Sequence, residues 1–103
     1  MGDKDILVYV HDSYRWVVAI CDRELVGRKL VEEPRALDLS GNFFRGLEMD
    51  EEEVAEEISR CVDEDATFNI VGQRSIEIAL KTGLITREGV MNIEGIPFAL
   101  VLL

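Results

Sequence analysis

The sequence predicts a single α+β domain on a mixed or mainly antiparallel sheet, with N- and C-terminal hairpins and two to three helices packed mainly on one face. Three observations predict it. Apolar, β-rich runs come in pairs near both ends of the chain, each pair split by a short turn. The middle carries stretches with apolar residues at helical spacing, marked by caps at their ends. The elements do not alternate strand and helix, as a parallel α/β sheet requires. With 103 residues the chain fits one domain, 1–103, whose core needs no staples.

The first strand is Asp5 to His11, rich in Ile6, Leu7, Val8, Tyr9 and Val10. After the turn at Asp12-Ser13, a second strand is expected from Tyr14 to Ile20. A two-residue loop there sets Ile6 opposite Ala19 and Val8 opposite Val17 on one face. On the other face, Leu7 opposes Val18 and Tyr9 opposes Trp16. Both faces are apolar, whereas a sheet with one wet face alternates polar and apolar residues. The ribbon therefore needs cover on both sides: helices on one, with a second subunit as a way to cover the other.

Asp22 to Leu30 reads as a short helix capped by Asp22, with Leu25, Val26 and Leu30 inward, although Gly27 weakens it. Pro34 ends that stretch, and Ala36 to Leu39 forms a short strand. Ser40-Gly41-Asn42 is a turn, and the aromatics Phe43 and Phe44 after it are expected to plug the core. Asp50 to Val62 is a helix: Asp50 caps it, Glu53 completes a capping box, and Val54, Ile58, Cys61 and Val62 form its inner stripe. Glu51, Glu52 and Glu53 then make a solvated first turn favoured by the helix dipole.

Ala66 to Val71 is read as a strand, and Gly72 to Thr82 as a helix with Ile76, Ala79 and Leu80 inward and Gly83 at its C′ position. A last hairpin joins Val90–Ile93 to Ile96–Leu102 across Glu94-Gly95. Pro97 has no N–H, so its end of the strand belongs at an edge or bulge. The run Phe98-Ala99-Leu100-Val101-Leu102 is expected to be buried on both faces.

The formal charge is −10, from 21 acidic and 11 basic residues. Such a field repels phosphate backbones and argues against nucleic acid as a partner. It favours solubility and leaves room for a basic protein partner. No apolar run approaches the roughly 20 residues that span a bilayer, so no membrane segment is expected. The charged opening Met1-Gly2-Asp3-Lys4-Asp5 lacks a signal region, and Ile6 breaks the myristoylation motif. A cytoplasmic location follows as the expectation.

Two cysteines without CxxC spacing and a single histidine give no zinc ligand set, and no cofactor is implied. Cys21 and Cys61 read as reduced, buried thiols, with a disulfide between them left open. A Cys21–His11 dyad fails on distance: in the expected register Cys21 lies opposite Lys4, roughly 23 Å from His11 at ~3.3 Å per residue. The start of a short helix could still lower the pKa of Cys21. Asp22 and Glu24 flank a strand end but have no third ligand beside them. The most suggestive segment is Asn69-Ile70-Val71-Gly72-Gln73-Arg74-Ser75, where an apolar run meets a glycine that opens a helix. Free amides there can receive an anion, with Arg74 adding charge. A single glycine is neither a dinucleotide fingerprint nor a phosphate loop, and a plain helix start explains it too.

Four segments, in order and spacing, carry a resemblance. They are Cys21-Asp22-Arg23-Glu24-Leu25-Val26-Gly27-Arg28-Lys29, Phe43-Phe44-Arg45-Gly46, Asn69-Ile70-Val71-Gly72-Gln73-Arg74-Ser75-Ile76 and Gly95-Ile96-Pro97. Together they resemble a small archaeal family known as domain of unknown function 424. The resemblance implies an archaeal cytoplasm and that family's fold, and it carries over no catalytic residue. One departure is Phe98-Ala99-Leu100, where the family pattern often has a histidine and polar residues after the proline.

The first functional expectation is a non-enzymatic binding or interaction module, as a homodimer or other homo-oligomer. The second is a ligand-binding protein or enzyme with an anionic site at the Gly72 helix start. Its ligand-binding residues would come from Cys21, Asp22, Arg45, Asn69, Gly72, Gln73 and Arg74. The third is an accessory factor in translation or RNA handling, which must overcome the charge. The residues leave open whether the chain is an enzyme.

Overall fold

The two opening apolar runs pair, but in a register the sequence did not suggest. β1 (Ile6–His11) and β2 (Val17–Asp22) are antiparallel, with Tyr9 opposite Ala19 and Val8 opposite Ile20. Val17, expected opposite Val8, faces His11 instead. The connection is not the two residues Asp12-Ser13 but the longer stretch 12–16, where the Ser13 hydroxyl donates to the Arg15 carbonyl. A slip by an odd number of positions places the expected partners on opposite faces. The computed structural model describes residues 2–102; Met1 and Leu103, the outer bounds of the expected domain, lie outside them.

The doubly apolar ribbon is central to one sheet of six strands, in the order β5-β1-β2-β6-β8-β7. Its members beyond the ribbon are β5 (Leu47–Met49), β6 (Thr67–Val71), β7 (Met91–Ile93) and β8 (Ile96–Val101). β2 and β6 run parallel; the other neighbours are antiparallel, so the sheet is mixed. Two helices, α1 (Glu51–Asp63) and α2 (Gln73–Lys81), cover one face. There Val8, Val18, Phe68 and Ile70 meet Val54, Ile58 and Cys61 of α1 and Ile76 and Ala79 of α2. α1 has its full capping box, with Asp50 and Glu53 bonding reciprocally, but Val62 is exposed rather than part of the inner stripe.

Part of the second face is covered by the chain itself. A separate two-stranded hairpin, β3 (Lys29–Glu32) and β4 (Arg35–Asp38), lies over one end of the sheet. Leu25, Leu30, Leu39 and Phe44 close there on Ala19, Cys21, Val71 and Ile93. This corrects the helix expected over Asp22–Leu30: only Arg23–Leu25 form a single 3₁₀ turn. Gly27, at φ +100°, then turns the chain, and its amide bonds Leu39 at 2.7 Å while the Leu39 amide bonds Arg28 at 2.8 Å. Cross-strand bonding and two buried leucines outweigh a short helix that contains glycine. Phe44 plugs this core as expected, whereas Phe43 stays half outside and stacks on His11, which in turn stacks on Tyr9.

Trp16, expected opposite Tyr9, sits in the connection before β2, packed against the helix-side core with the Arg60 guanidinium 5.3 Å above its ring. Tyr9 is 40% exposed. The final hairpin turns at Glu94-Gly95, both at positive φ, the geometry of a two-residue type I′ turn. Val31 and Glu94, and Glu94 and Glu32, bond through backbone amides and carboxylates, tying the β3–β4 hairpin to this turn. Arg35 donates to the Asn92 carbonyl on the outer edge of β7 at 2.7 Å. The cover ends there. Leu100, expected to be buried, is 52% exposed, and Leu102 is 73% exposed, so the last strand is buried on one face only along its outer half.

Candidate functional site

The chain leaves β2 toward the hairpin-covered face and leaves β6 toward the helix-covered face. Two neighbouring parallel strands whose exits diverge open a crevice beyond their ends, the place where ligands bind in open sheets of parallel strands. Here the crevice is filled from within. Asp22, the last residue of β2, projects under the first turn of α2, and its side chain is 5% exposed. It accepts from the Arg74 amide at 3.0 Å, the Ser75 amide at 2.9 Å and the Ser75 hydroxyl at 2.7 Å. Asp22 was expected to cap its own turn; it caps a helix half the chain away. The amides that an external anion would need are thus already taken by a carboxylate.

Gly72 is required by this contact. It sits at φ +112°, and a Cβ on it would stand 2.3 Å from the Asp22 carboxyl carbon. Arg74 reaches back over the cleft to Glu24 at 2.5 Å, with Asp5 at 3.9 Å and Asp22 at 4.0 Å. Three carboxylates surround the one guanidinium, and together they hold it protonated, Glu24 first. The cleft, about 320 Å³, is walled further by Gln73, Leu25 and the Gly95-Ile96-Pro97 segment. Pro97 fits there without loss: its carbonyl accepts from the Gly72 amide at 2.8 Å, at a position where β6 has ended and no N–H is needed.

Of the residues singled out in the sequence, Asp22, Gly72, Gln73 and Arg74 come together; Cys21, Asn69 and Arg45 do not join them. Cys21 points to the opposite face, fully buried under the β3–β4 hairpin. Burial, then Asp22 and Glu24, push its thiol up to about 12, the reverse of an activated nucleophile. In the observed register it lies opposite Leu7, roughly 13 Å along the strand from His11 at ~3.3 Å per residue, which still separates thiol from imidazole. Cys61 is buried in the other core, free like Cys21 and also pushed up, to about 11, by burial. Asn69 is half-buried on the hairpin side of the sheet, between Ala19 and Leu100. Arg45 is exposed at the far edge, lining a separate groove of about 440 Å³ with Leu47 and Met49. Ser75 escaped the sequence reading as a partner of Asp22; a hydroxyl in the first turn after a positive-φ glycine is its one local signal.

Among the described residues no group of His, Cys, Asp and Glu is placed to hold a metal, and no helix is long and apolar enough to cross a membrane. The second surface of interest is the outer part of the hairpin-side face, where Tyr9 and Leu100 are exposed while Ala19 between them is buried under the hairpin. Tyr9, Ala19, Asn69 and Leu100 form one row across four strands, and His11, Val17 and Thr67 the next. These two rows carry no formal charge with histidine neutral, in a chain whose net charge is −10. The acids gather elsewhere: α1 alone carries Glu51, Glu52, Glu53, Glu56, Glu57 and Asp63 on the helical side.

A family model described as "Protein of unknown function (DUF424)" matches residues 9–103. A solved structure titled "Crystal structure of an uncharacterized conserved protein from Methanopyrus kandleri" matches with a TM-score of 0.84 and 24% identity, over 93% of this chain and 89% of that one. That likeness carries the fold. No curated protein matches the chain.

Proposed function

The chain belongs to the DUF424 family of proteins of unknown function, and on that premise we propose that it is a small, non-enzymatic, cytoplasmic interaction module that associates with copies of itself. One observation carries the reading: Tyr9 and Leu100, at the two ends of an uncharged row, are exposed on a chain of charge −10, while the polar groups at the strand ends are already engaged with one another. Charged residues are depleted at the centres of protein interfaces, and exposed large apolar side chains mark them. The acidic flank of α1 is the side a basic protein partner would meet. Two buried, unpaired thiols suit a reducing compartment. Light scattering across a hundredfold range of concentration tests the reading. The expected mass at the upper end is twice the 11.6 kDa of one chain; a strict monomer throughout would discard self-association.

A second reading keeps the strand-end cleft as a small-molecule site, because three of the four segments that resemble the family converge on it. A thermal-shift screen of nucleotides and phosphorylated metabolites separates the two, since a ligand that binds the folded state alone raises its melting temperature. A strong shift with one ligand class would put the cleft first.

A further inference from the structure

We propose that two copies of the chain join their sheets edge to edge through the outer half of β8. This inference rests on the self-association reading and gives it a geometry. β7 pairs with β8 only over Ile96–Phe98, so beyond Phe98 that edge of the strand has no neighbour among the described residues. The direction of the backbone there follows from its other side. The bond from the Gly72 amide to Pro97, and the pairs Ile70–Ala99 and Phe68–Val101, turn the odd-numbered positions toward β6. In an antiparallel ladder the residues between them point the other way, so the N–H and C=O groups of Leu100 and Leu102 face the open edge.

An open row of donors and acceptors calls for another strand. A second copy supplies one with matching chemistry. Antiparallel pairing about a two-fold axis sets the same segment against itself, and no residue from Ile96 to Leu102 is charged. With Val101 opposite its counterpart, Leu100 of one copy meets Leu102 of the other, and each such pair exchanges both backbone bonds. All four leucines then lie on the hairpin side of the sheet, clustered about the axis, where they are bare in the lone chain. Val90, extended at φ −88° and ψ 126° just before β7, stops the incoming strand from sliding further inward. The strongly acidic α1 packs over β1 and β5, at the other side of the sheet, while α2 lies next to β8. The acidic helix of each copy is thus kept away from this edge, which limits repulsion between them.

Two variants test the geometry. Val101→Cys places thiols opposite each other in a non-hydrogen-bonded pair, with Cα atoms about 4.5 Å apart, inside disulfide range. Mild oxidation should link the two chains, with Val31→Cys, exposed on β3, as the unlinked control; Cys21 and Cys61 are buried and do not compete. Leu102→Pro deletes an N–H that only the second copy would use, so it should leave the melting temperature of the monomer unchanged and weaken dimerisation roughly tenfold or more. A dimer that neither links through Val101→Cys nor weakens with Leu102→Pro overturns the edge pairing and leaves self-association standing. A strict monomer overturns both.

Discussion

At the shared end of β2 and β6, a buried carboxylate has three donors, a glycine is shaped to its oxygens, and an arginine closes over it. At the outer half of β8, two leucines are exposed and their backbone groups have no neighbouring strand among the described residues. The first region holds the residues that chemistry uses most: Asp, Ser, Arg and Gln at a helix start. Yet its polar groups are turned on one another, and the second, built of leucine and valine, is the one with capacity left over. Function is therefore better sought where interactions remain unmade than where reactive residue types are dense.

Gly72→Ala should strain this contrast most. The new methyl meets the Asp22 carboxyl at a positive φ, and a loss of roughly 3–4 kcal/mol in urea unfolding is expected. A loss below about 1 kcal/mol would show that the clasp yields easily. Asp22→Ala comes next, at about 2–3 kcal/mol, because it strands two helix amides and the Ser75 hydroxyl in a buried place. Asp22→Asn, which keeps one oxygen, should lose less; equal losses would mean that charge rather than bonding holds the helix.

Alkaline pH acts through the thiol beneath the same strand end. Burial raises the Cys21 pKa from its ordinary 9.0 to about 12, so between those values the unfolded chain gives up a proton that the folded chain keeps. The thiol's contribution is complete below pH 9 and declines as pH climbs toward 12, by about 1.4 kcal/mol per pH unit. Urea midpoints between pH 8 and 10 measure it, and Cys21→Ala should make their decline shallower. The smallest effect belongs to the open end: Leu100→Ser should change monomer stability by no more than about 0.5 kcal/mol. A larger loss would mean that something in the lone chain already covers Leu100.

Much of the fold was legible. The helix from Asp50 announces itself through a capping box and a one-sided apolar stripe, and the Glu94-Gly95 turn through residues that accept positive φ. These signals are local, and local signals survive in the sequence. The register of the first hairpin was not legible, because Tyr14, Arg15 and Trp16 look like strand residues and only the pairing of β2 with β6 decides where the strand begins. The hairpin that replaces the short helix after Asp22 depends on Leu39 reaching back to Gly27 and Arg28. β5 escaped notice: three residues are too few for a pattern, and Gly46 before them is fixed by a close approach to β1, where a Cβ would stand 2.0 Å from the Val8 carbonyl oxygen. In the site, Gly72 and Arg74 stood out, but that Asp22 would cap their helix is a contact across more than half the chain and leaves no local trace.

The position of Trp16 has a practical consequence. It is the chain's one tryptophan, and the guanidinium above its ring comes from Arg60, which is itself held by Glu57 one turn earlier in α1. The indole thus senses a nearby cation whose position depends on the seating of that helix. Its emission is an intrinsic optical gauge of whether the last turns of α1 are docked, and local opening of this corner should change it before the sheet melts.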